Sequence, residues 1–473
     1  MAIPFGHRIE PLVDHYLINN IHGLSFRYTE PQNRGEALIF DQPWDIPGGC
    51  VHSIVEDEEN VKLYYRGLKK KPFEEYSEEN PGVVQLAVSH DGFHFEPYPV
   101  NELDYKGIKE NNIISITTSL AVGQYPAPVT APFYDTNPAC KPDERYKSIT
   151  TWLSDAGQFK YGAFLSASPD GIHWHKLSDE PAVTKGQLDS IPFAFWDPHA
   201  KLYRLYTRYL DNHGAYSDEW GKGIRAIQSC VSTDFIHWSE PVVNQYAEPV
   251  ADHLYTSSVL PIPGAEHILI CRCMRFCPNR SAPLTEKEWS EWRYVESERM
   301  GVSDAVFMTS RDGVNWDRTI KDAWIPAGTY YHEWTCRNMV IPGGMIERGD
   351  DFIFYVFKNY MWDDEVLYAY SVPRYRFMYL YADGSGGEFE TKPLHFLSDD
   401  IYLNFSTSAY GSVKVTVLNE DGSERFESDE LYGNDFSRRL HIDQLNGTLG
   451  RLRITMKEAR LYAVGSDMSR KLK

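Results

Sequence analysis

No stretch of the sequence reaches the roughly 18 consecutive apolar residues that a membrane-spanning helix needs, so nothing in it reads as a bilayer span. A basic footprint is also missing. Lys and Arg number 47 against 67 Asp and Glu, a formal net charge of −20, which argues against a nucleic-acid partner and disfavours an anionic membrane. The opening MAIPFGHRIEPLV has no basic segment followed by an apolar one. A signal peptide is therefore not expected and a cytoplasmic home is the default, although a leader already removed would leave the same picture. No Gly-x-Gly-x-x-Gly opens a βα unit and no Walker Gly-Lys-Ser/Thr loop occurs, so no nucleotide cofactor is expected. Nothing supports a Ser hydrolase, and no feature sets an oligomeric state.

Cysteine is sparse: seven in 473 residues, an odd number that fits reduced thiols rather than a disulfide scaffold. Cys271, Cys273 and Cys277 lie close together. CRCMRFC nevertheless reads as a strand with Cys271 and Cys273 on one face, and no His partner follows, so buried core thiols are expected rather than a metal site. The expectation is no cofactor and no metal, with the proviso that an isolated Ca²⁺ held by oxygens leaves no mark in a sequence.

Aromatic residues are plentiful at 14%, with 12 Trp and 31 Tyr, which suits pleated, half-buried strands. A motif then repeats: Ser89-His-Asp-Gly-Phe-His-Phe95, Ser168-Pro-Asp-Gly-Ile-His-Trp174, Ser232-Thr-Asp-Phe-Ile-His-Trp238 and Ser310-Arg-Asp-Gly-Val-Asn-Trp316. Asp and Gly supply a tight turn, and the terminal aromatic packs back between sheets, so Asp91, Asp170, Asp234 and Asp312 are architectural. Upstream of each copy lies an apolar strand, such as Val61–Arg66 or Lys201–Tyr206, and a fifth strand, Asp351–Phe357, lacks the turn. Small antiparallel sheets repeated radially describe an all-β, five-bladed β-propeller.

The pattern changes after residue 383. Asp383-Gly-Ser-Gly-Gly387 reads as a junction, and beyond it Ile401, Leu403, Phe405, then Val413, Val415, Val417, then Leu452, Ile454, Met456 alternate with period 2. The expected division is a propeller over 1–383 and a C-terminal β-sandwich over 384–473. Lys69–Pro81 reads as a charged surface loop. Thr285–Met300 opens with a capping box, Thr285 and Glu288, and reads as a short helix across a blade edge.

Five blades with Ser-x-Asp-Gly-x-x-Trp turns followed by a sandwich resemble glycoside hydrolase families 32 and 43. Asp135-Thr-Asn-Pro138, Gly301-Val-Ser-Asp-Ala-Val-Phe307 and Thr391-Lys-Pro-Leu394 look like those of a bacterial family-32-like group. The resemblance implies a sugar site in the propeller funnel. The Asn-Asp-Pro-Asn, Arg-Asp-Pro and Glu-Cys motifs of family 32 are absent, so fructosidase activity and its catalytic roles do not carry over.

Glycoside hydrolysis needs two carboxylates, an acid of raised pKa and a base or nucleophile, which in such propellers sit at the starts of inner strands. Asp189, before Ile191–Trp196, is the first candidate, and a turn Asp is its bland alternative. Glu333 is the second, within Tyr331-His-Glu-Trp-Thr-Cys-Arg-Asn338, where His332, Trp334, Arg337 and Asn338 form a sugar-binding cluster and a Glu333–Arg337 ion pair is the competing reading. Asp45, in Trp44-Asp-Ile-Pro-Gly-Gly49, and Asp304 are further candidates. His253 opens blade 4 and could bind a hydroxyl or relay a proton, or be structural. Asp135 is expected to brace a loop. Arg208, Arg225, Arg275 and Arg337 suit an acidic or sulfated sugar, against the plainer reading that they pair with the chain's own carboxylates. The expected partner is an oligosaccharide or glycoside. A hydrolase leads, and a phosphorylase or a non-catalytic sugar-binding propeller are the alternatives.

Overall fold

The computed structural model describes residues 2–45, 50–67, 81–117, 130–155, 158–188, 190–212, 215–216, 222–248, 252–293, 296, 299–336 and 338–465. Five small antiparallel sheets form the propeller. Blade 1 runs Cys50–Glu56, Val61–Gly67, Gly82–Ser89 and an outer Ile113–Thr117. Blade 2 runs Phe133–Tyr134, Tyr146–Asp155, Gln158–Ser168 and His175–Lys176. Blade 3 runs Phe193–Asp197, Leu202–Asn212, Ile224–Ser232 and Val242–Val243. Blade 4 runs His253–Ile262, Ala265–Cys277, Val302–Ser310 and Asn315–Asp317. Blade 5 takes Ile346–Arg348, Asp351–Lys358 and Val366–Pro373 from late in the chain and its outer strand, Gln32–Ile39, from the beginning. That pairing closes the ring.

The repeated motif is the joint between blades. In the copies at 89, 168 and 310 the Ser hydroxyl accepts the Gly N–H at 2.8–2.9 Å. The Asp carboxylate accepts two following N–H groups, Phe93 and His94 at 2.7 and 2.9 Å in the first copy. Burial opposes the charge, but the side-chain hydrogen bonds from His94, His173, His237 and Asn315, and then these N–H bonds, outweigh it and hold Asp91, Asp170, Asp234 and Asp312 below the usual carboxylate range. The turn places Gly92, Gly171 and Gly313 at φ of 81°, 81° and 85°, where a side chain is disfavoured. Their carbonyls accept tyrosine hydroxyls from the preceding blade: Tyr355 to Gly92 at 2.6 Å, Tyr64 to Gly171 at 3.1 Å and Tyr206 to Gly313 at 2.9 Å. The terminal aromatic of each motif meets that same tyrosine edge-on, as Phe95 meets Tyr355 with centroids 5.4 Å apart. The third copy carries Phe235 in place of Gly, at φ 68°, and its ring fills the space between blades 2 and 3 against Phe133 and Tyr203.

The division expected at residue 383 differs from the strand pairing. Ile3–Phe5, Ile9–Pro11, Ile18–His22 and Leu24–Tyr28 all join the C-terminal sheet, as does Met378–Ala382. Asp383–Gly387 is a turn inside that sheet, joining Met378–Ala382 to Gly387–Thr391, which pair one after the other along Leu449–Gly465, so the chain leaves the propeller between Pro373 and Met378. A pattern of alternation reports which face a strand buries, not which sheet it joins, so the N-terminal strands gave no warning. The alternating residues Ile401 to Met456 are buried in the sandwich core as expected. Cys271 and Cys273 are buried free thiols on one face of the strand Ala265–Cys277. The Thr285 capping box is present, heading a helix of only one turn, Glu286–Trp289, whose Trp289 packs with Trp292 and Trp362 of blade 5.

A buried charge cluster fastens the two parts. Glu10, of the sandwich, meets Arg8 at 2.6 Å, His267 at 3.1 Å and Arg311 at 3.1 Å, and Arg311 belongs to the blade-4 motif. Burial raises the Glu10 carboxyl, but the three bases outweigh it and hold it below its ordinary value.

Replacing Tyr355 by Phe leaves the Gly92 carbonyl unpaired at the closing joint. Unfolding in urea should show a loss of about 1–2 kcal/mol, and an unchanged midpoint would remove the joint from the account of closure.

Candidate functional site

In an up-and-down blade the first and third strands begin at one end of the ring and the second strand finishes there. That end gathers Asp45 and His52 from blade 1, Ser190, Arg208 and Arg225 from blade 3, and His253, Tyr255 and Phe276 from blade 4. Blade 5 adds the loop from Tyr330 to Asn338 and Lys358. The funnel has a floor. Gly343 bridges to Ser53 of blade 1, with Ile54 N–H donating to the Gly343 carbonyl at 2.8 Å. Arg272 of blade 4 donates to the Gly344 carbonyl at 2.9 Å, and Ser258 to that of Pro342 at 3.0 Å. A Cβ on Gly343 would stand 3.0 Å from the Phe193 ring and one on Gly344 2.1 Å from the Ile54 carbonyl, so only glycine lets three blades meet on the axis. The Arg272 guanidinium is wholly buried, which lowers its pKa to about 9.

Asp45 stands apart among the carboxylates. Its Oδ2 accepts the Gln42 N–H at 3.0 Å, while its own N–H donates to the Gln42 carbonyl, a reciprocal turn. Burial beside Trp44 and Tyr65 pushes its pKa up to about 6, although the Gln42 N–H and the Gln85 amide favour the ionised form. A carboxyl raised to about 6 keeps its proton to higher pH than an ordinary Asp and is about half protonated at pH 6, which suits a general acid.

Two other candidates are spent on ion pairs. Glu333 caps its own 3₁₀ turn by accepting the Tyr330 N–H at 3.0 Å and pairs with Lys358 at 2.6 Å. Among the described residues its partner is thus Lys358, and the alternative pair with Arg337 involves a residue outside them. Asp304 accepts both edges of Arg275, Nε at 2.9 Å and Nη2 at 2.6 Å, and Asp252 pairs with Arg318 at 2.9 Å beside them. Arg275, expected at the substrate, is held by this cross-strand pair. In the blade-5 loop the polar atoms largely serve the loop. His332 stacks on Trp362 at 3.8 Å and meets Asp364 at 2.8 Å, Trp334 donates to the Gly328 carbonyl, and Asn338 to that of Glu333. Asp135 is buried, taking Lys147 at 2.8 Å and the Tyr203 hydroxyl of blade 3 at 2.7 Å, a brace of the kind expected. Asp189 and Arg337 lie outside the described residues.

The blade 3–4 rim is cationic and aromatic. Arg208 and Arg225 both place their guanidinium carbons 5.0 Å from the Tyr255 ring, and Arg225 lies 4.8 Å from Phe276. His253 Nδ1 is 3.3 Å from Arg225 Nη1. Burial and then the Arg225 charge lower the His253 pKa, so the imidazole is neutral near pH 7. Ser190 Oγ donates to the Tyr255 carbonyl at 3.4 Å. Sequence reasoning passed over Tyr255, His52 and Gln85. His52, wholly buried beside Arg66, has a strongly lowered pKa from burial and then from that charge. Their one available signal was position, two or three residues into a strand that opens on the funnel.

No protein-family model matches this chain, and no curated protein does. Solved structures with similar arrangements include an N-acetylgalactosamine deacetylase from F. plautii in complex with blood group B trisaccharide (12% identity, 90% of this chain and 95% of that one, TM-score 0.41). A glycosyl hydrolase from Bacteroides ovatus matches at 13% identity over 78% and 97%, TM-score 0.40. The GH32 β-fructofuranosidase of Bombyx mori, as a mutant in complex with sucrose, matches at 8% identity over 92% and 93%, TM-score 0.39. Likeness of this degree transfers no residue role, and the site stands on its own geometry.

A raised carboxyl pKa means that the folded state holds its proton longer than the unfolded chain. Ionised Asp45 therefore weakens folding above pH ~6, and the penalty vanishes below pH ~4. Asp45→Asn, which keeps the acceptor for the Gln42 N–H, should raise stability at pH 8 by on the order of 2 kcal/mol and leave it unchanged at pH 4. Thermal melts at the two pH values check this, and equal stability at pH 8 would mean that Asp45 titrates normally.

Proposed function

We propose that this chain is a glycosidase-type enzyme that cleaves a glycosidic bond in the propeller funnel, with Asp45 as proton donor. The observation that carries the reading is the buried Asp45 carboxyl, raised to about 6 at the funnel end of blade 1. Asp45 hands its proton to the glycosidic oxygen as the bond to the sugar carbon breaks. The second carboxylate activates water or attacks that carbon. Since Glu333 and Asp304 are neutralised by Lys358 and Arg275, the proposal gives that role to Asp189 on its place in the sequence. Trp334, a partly buried ring at this end, offers a face for a sugar, and the closed floor suits a chain end rather than a threaded polymer. The substrate class proposed is an acidic or sulfated sugar.

A second reading, a phosphorylase, is favoured by one observation, the Arg208–Arg225–His253 group, which offers phosphate-binding chemistry. A binding propeller without turnover is the third.

Sugar release from neutral, uronic and sulfated oligosaccharides, with and without phosphate, separates them. Asp45→Asn and Asp189→Asn should each lower kcat by about 10²–10⁴-fold, whereas Asp304→Asn should lower thermal stability and change kcat little. Turnover that requires phosphate selects the phosphorylase. Full activity in Asp45→Asn would refute the acid assignment, and binding without turnover would select the binding propeller.

A further inference from the structure

Cations in this chain are outnumbered by carboxylates, and two arginines at the funnel end have found one: Arg275 has Asp304 and Arg318 has Asp252. Arg225 is different. Among the described residues it pairs with no carboxylate, and its polar contacts run to His253 alone. It sits near the start of Ile224–Ser232, its guanidinium 5.0 and 4.8 Å from the Tyr255 and Phe276 rings, to one side of that pair, with Nε buried and without a hydrogen-bond partner. A second guanidinium, Arg208, lies 5.0 Å from the same Tyr255 ring. A partly buried guanidinium lacking a counter-charge costs stability that an anion would return. Nη1 meets His253 and Nε is covered, so Nη2 is the group left to receive an oxyanion. His253 is bound through Nδ1 to Arg225, a contact that requires a lone pair there and puts the imidazole proton on Nε2, a further donor.

We infer that the rim between blades 3 and 4 is a subsite for the charged group of an acidic sugar, a carboxylate or sulfate ester received by Arg225 and His253. This deepens the reading of the funnel as a sugar site and rests on it. Arg208 adds positive potential from across Tyr255. Arg275, spent on Asp304, has no part in it.

The test is calorimetric binding of a uronic-acid disaccharide series, the same sugars with the carboxyl reduced to the alcohol, O-sulfated disaccharides, and inorganic phosphate alone. The wild-type protein should bind the charged sugars at least tenfold more tightly than the reduced ones, with affinity falling as salt rises. Arg225→Met should remove that preference while leaving the reduced sugars within about twofold. Arg225→Lys, which keeps the charge but not the planar group against the rings and His253, should lose most of it. Carboxylate and sulfate arms that differ identify which group is taken. Equal affinity for charged and reduced sugars would overturn this subsite and leave the funnel reading standing, and the wild-type comparison decides this even if Arg225→Met fails to fold. Failure of every sugar to bind would overturn both. Phosphate that binds alone, and is lost in Arg225→Met, would reassign the cations to inorganic phosphate.

Discussion

Everything at the funnel end depends on closing a ring of five sheets. A propeller blade is too small to be stable alone, and each must bury its faces against two neighbours. No continuous strand ladder runs from sheet to sheet around the ring, so apart from single backbone bonds such as Ile54 N–H to the Gly343 carbonyl the blades are joined through side chains. The tyrosine hydroxyl on the carbonyl of a motif glycine, with the motif's terminal aromatic against the same ring, is that joint in three places. At the fifth blade the chain adds a backbone closure, with Gln32–Ile39 completing a sheet begun more than three hundred residues later. Because a strand from the start of the chain has to reach the last blade, the residues before it are free to join the sandwich, and Glu10 ties the two together under Arg311.

The same closure explains why carboxylates at the funnel end have such different chemistry. The up-and-down run of the blades brings Asp45, Glu333 and Asp304 to one end of the ring, but what each meets there is decided by its neighbours. Arg275 is directly across a strand pair from Asp304, and Lys358 ends the strand beside Glu333, so both acids are taken up in ion pairs. Asp45 arrives on a turn packed over Trp44 and Tyr65, with backbone and amide donors too few to offset burial. Of the described carboxylates among the candidates, it alone is raised, and that difference rather than its position makes it the acid in the proposed reaction.

Cations divide in a similar way. Arg275 and Arg225 lie at corresponding ends of adjoining blades, yet one is neutralised and the other lies against two rings. The contrast arises from strand parity: Arg275 faces the side on which Asp304 and Asp252 stand, whereas Arg225 points toward Tyr255 and Phe276. Electrostatic character at this rim is thus a by-product of which face each strand turns to its neighbour.

The sequence by itself determined the five-blade count, the motif turns, the sandwich alternation, the buried thiols and the capped helix, because all of these are set by interactions within a few residues or by a period along one strand. It also determined that Asp91 and its three counterparts are turn acids, since the Ser, Asp and Gly that bond to one another are adjacent in the chain. Tertiary structure alone decided that the first strands belong to the sandwich, that Lys358 of a distant strand pairs with Glu333, and that Asp45 is raised. It alone paired Arg275 with Asp304 and left Arg225 against two rings. Each of these depends on which residues from distant strands share a face and how far water reaches them, and charge, pairing and burial of that kind have no local signature.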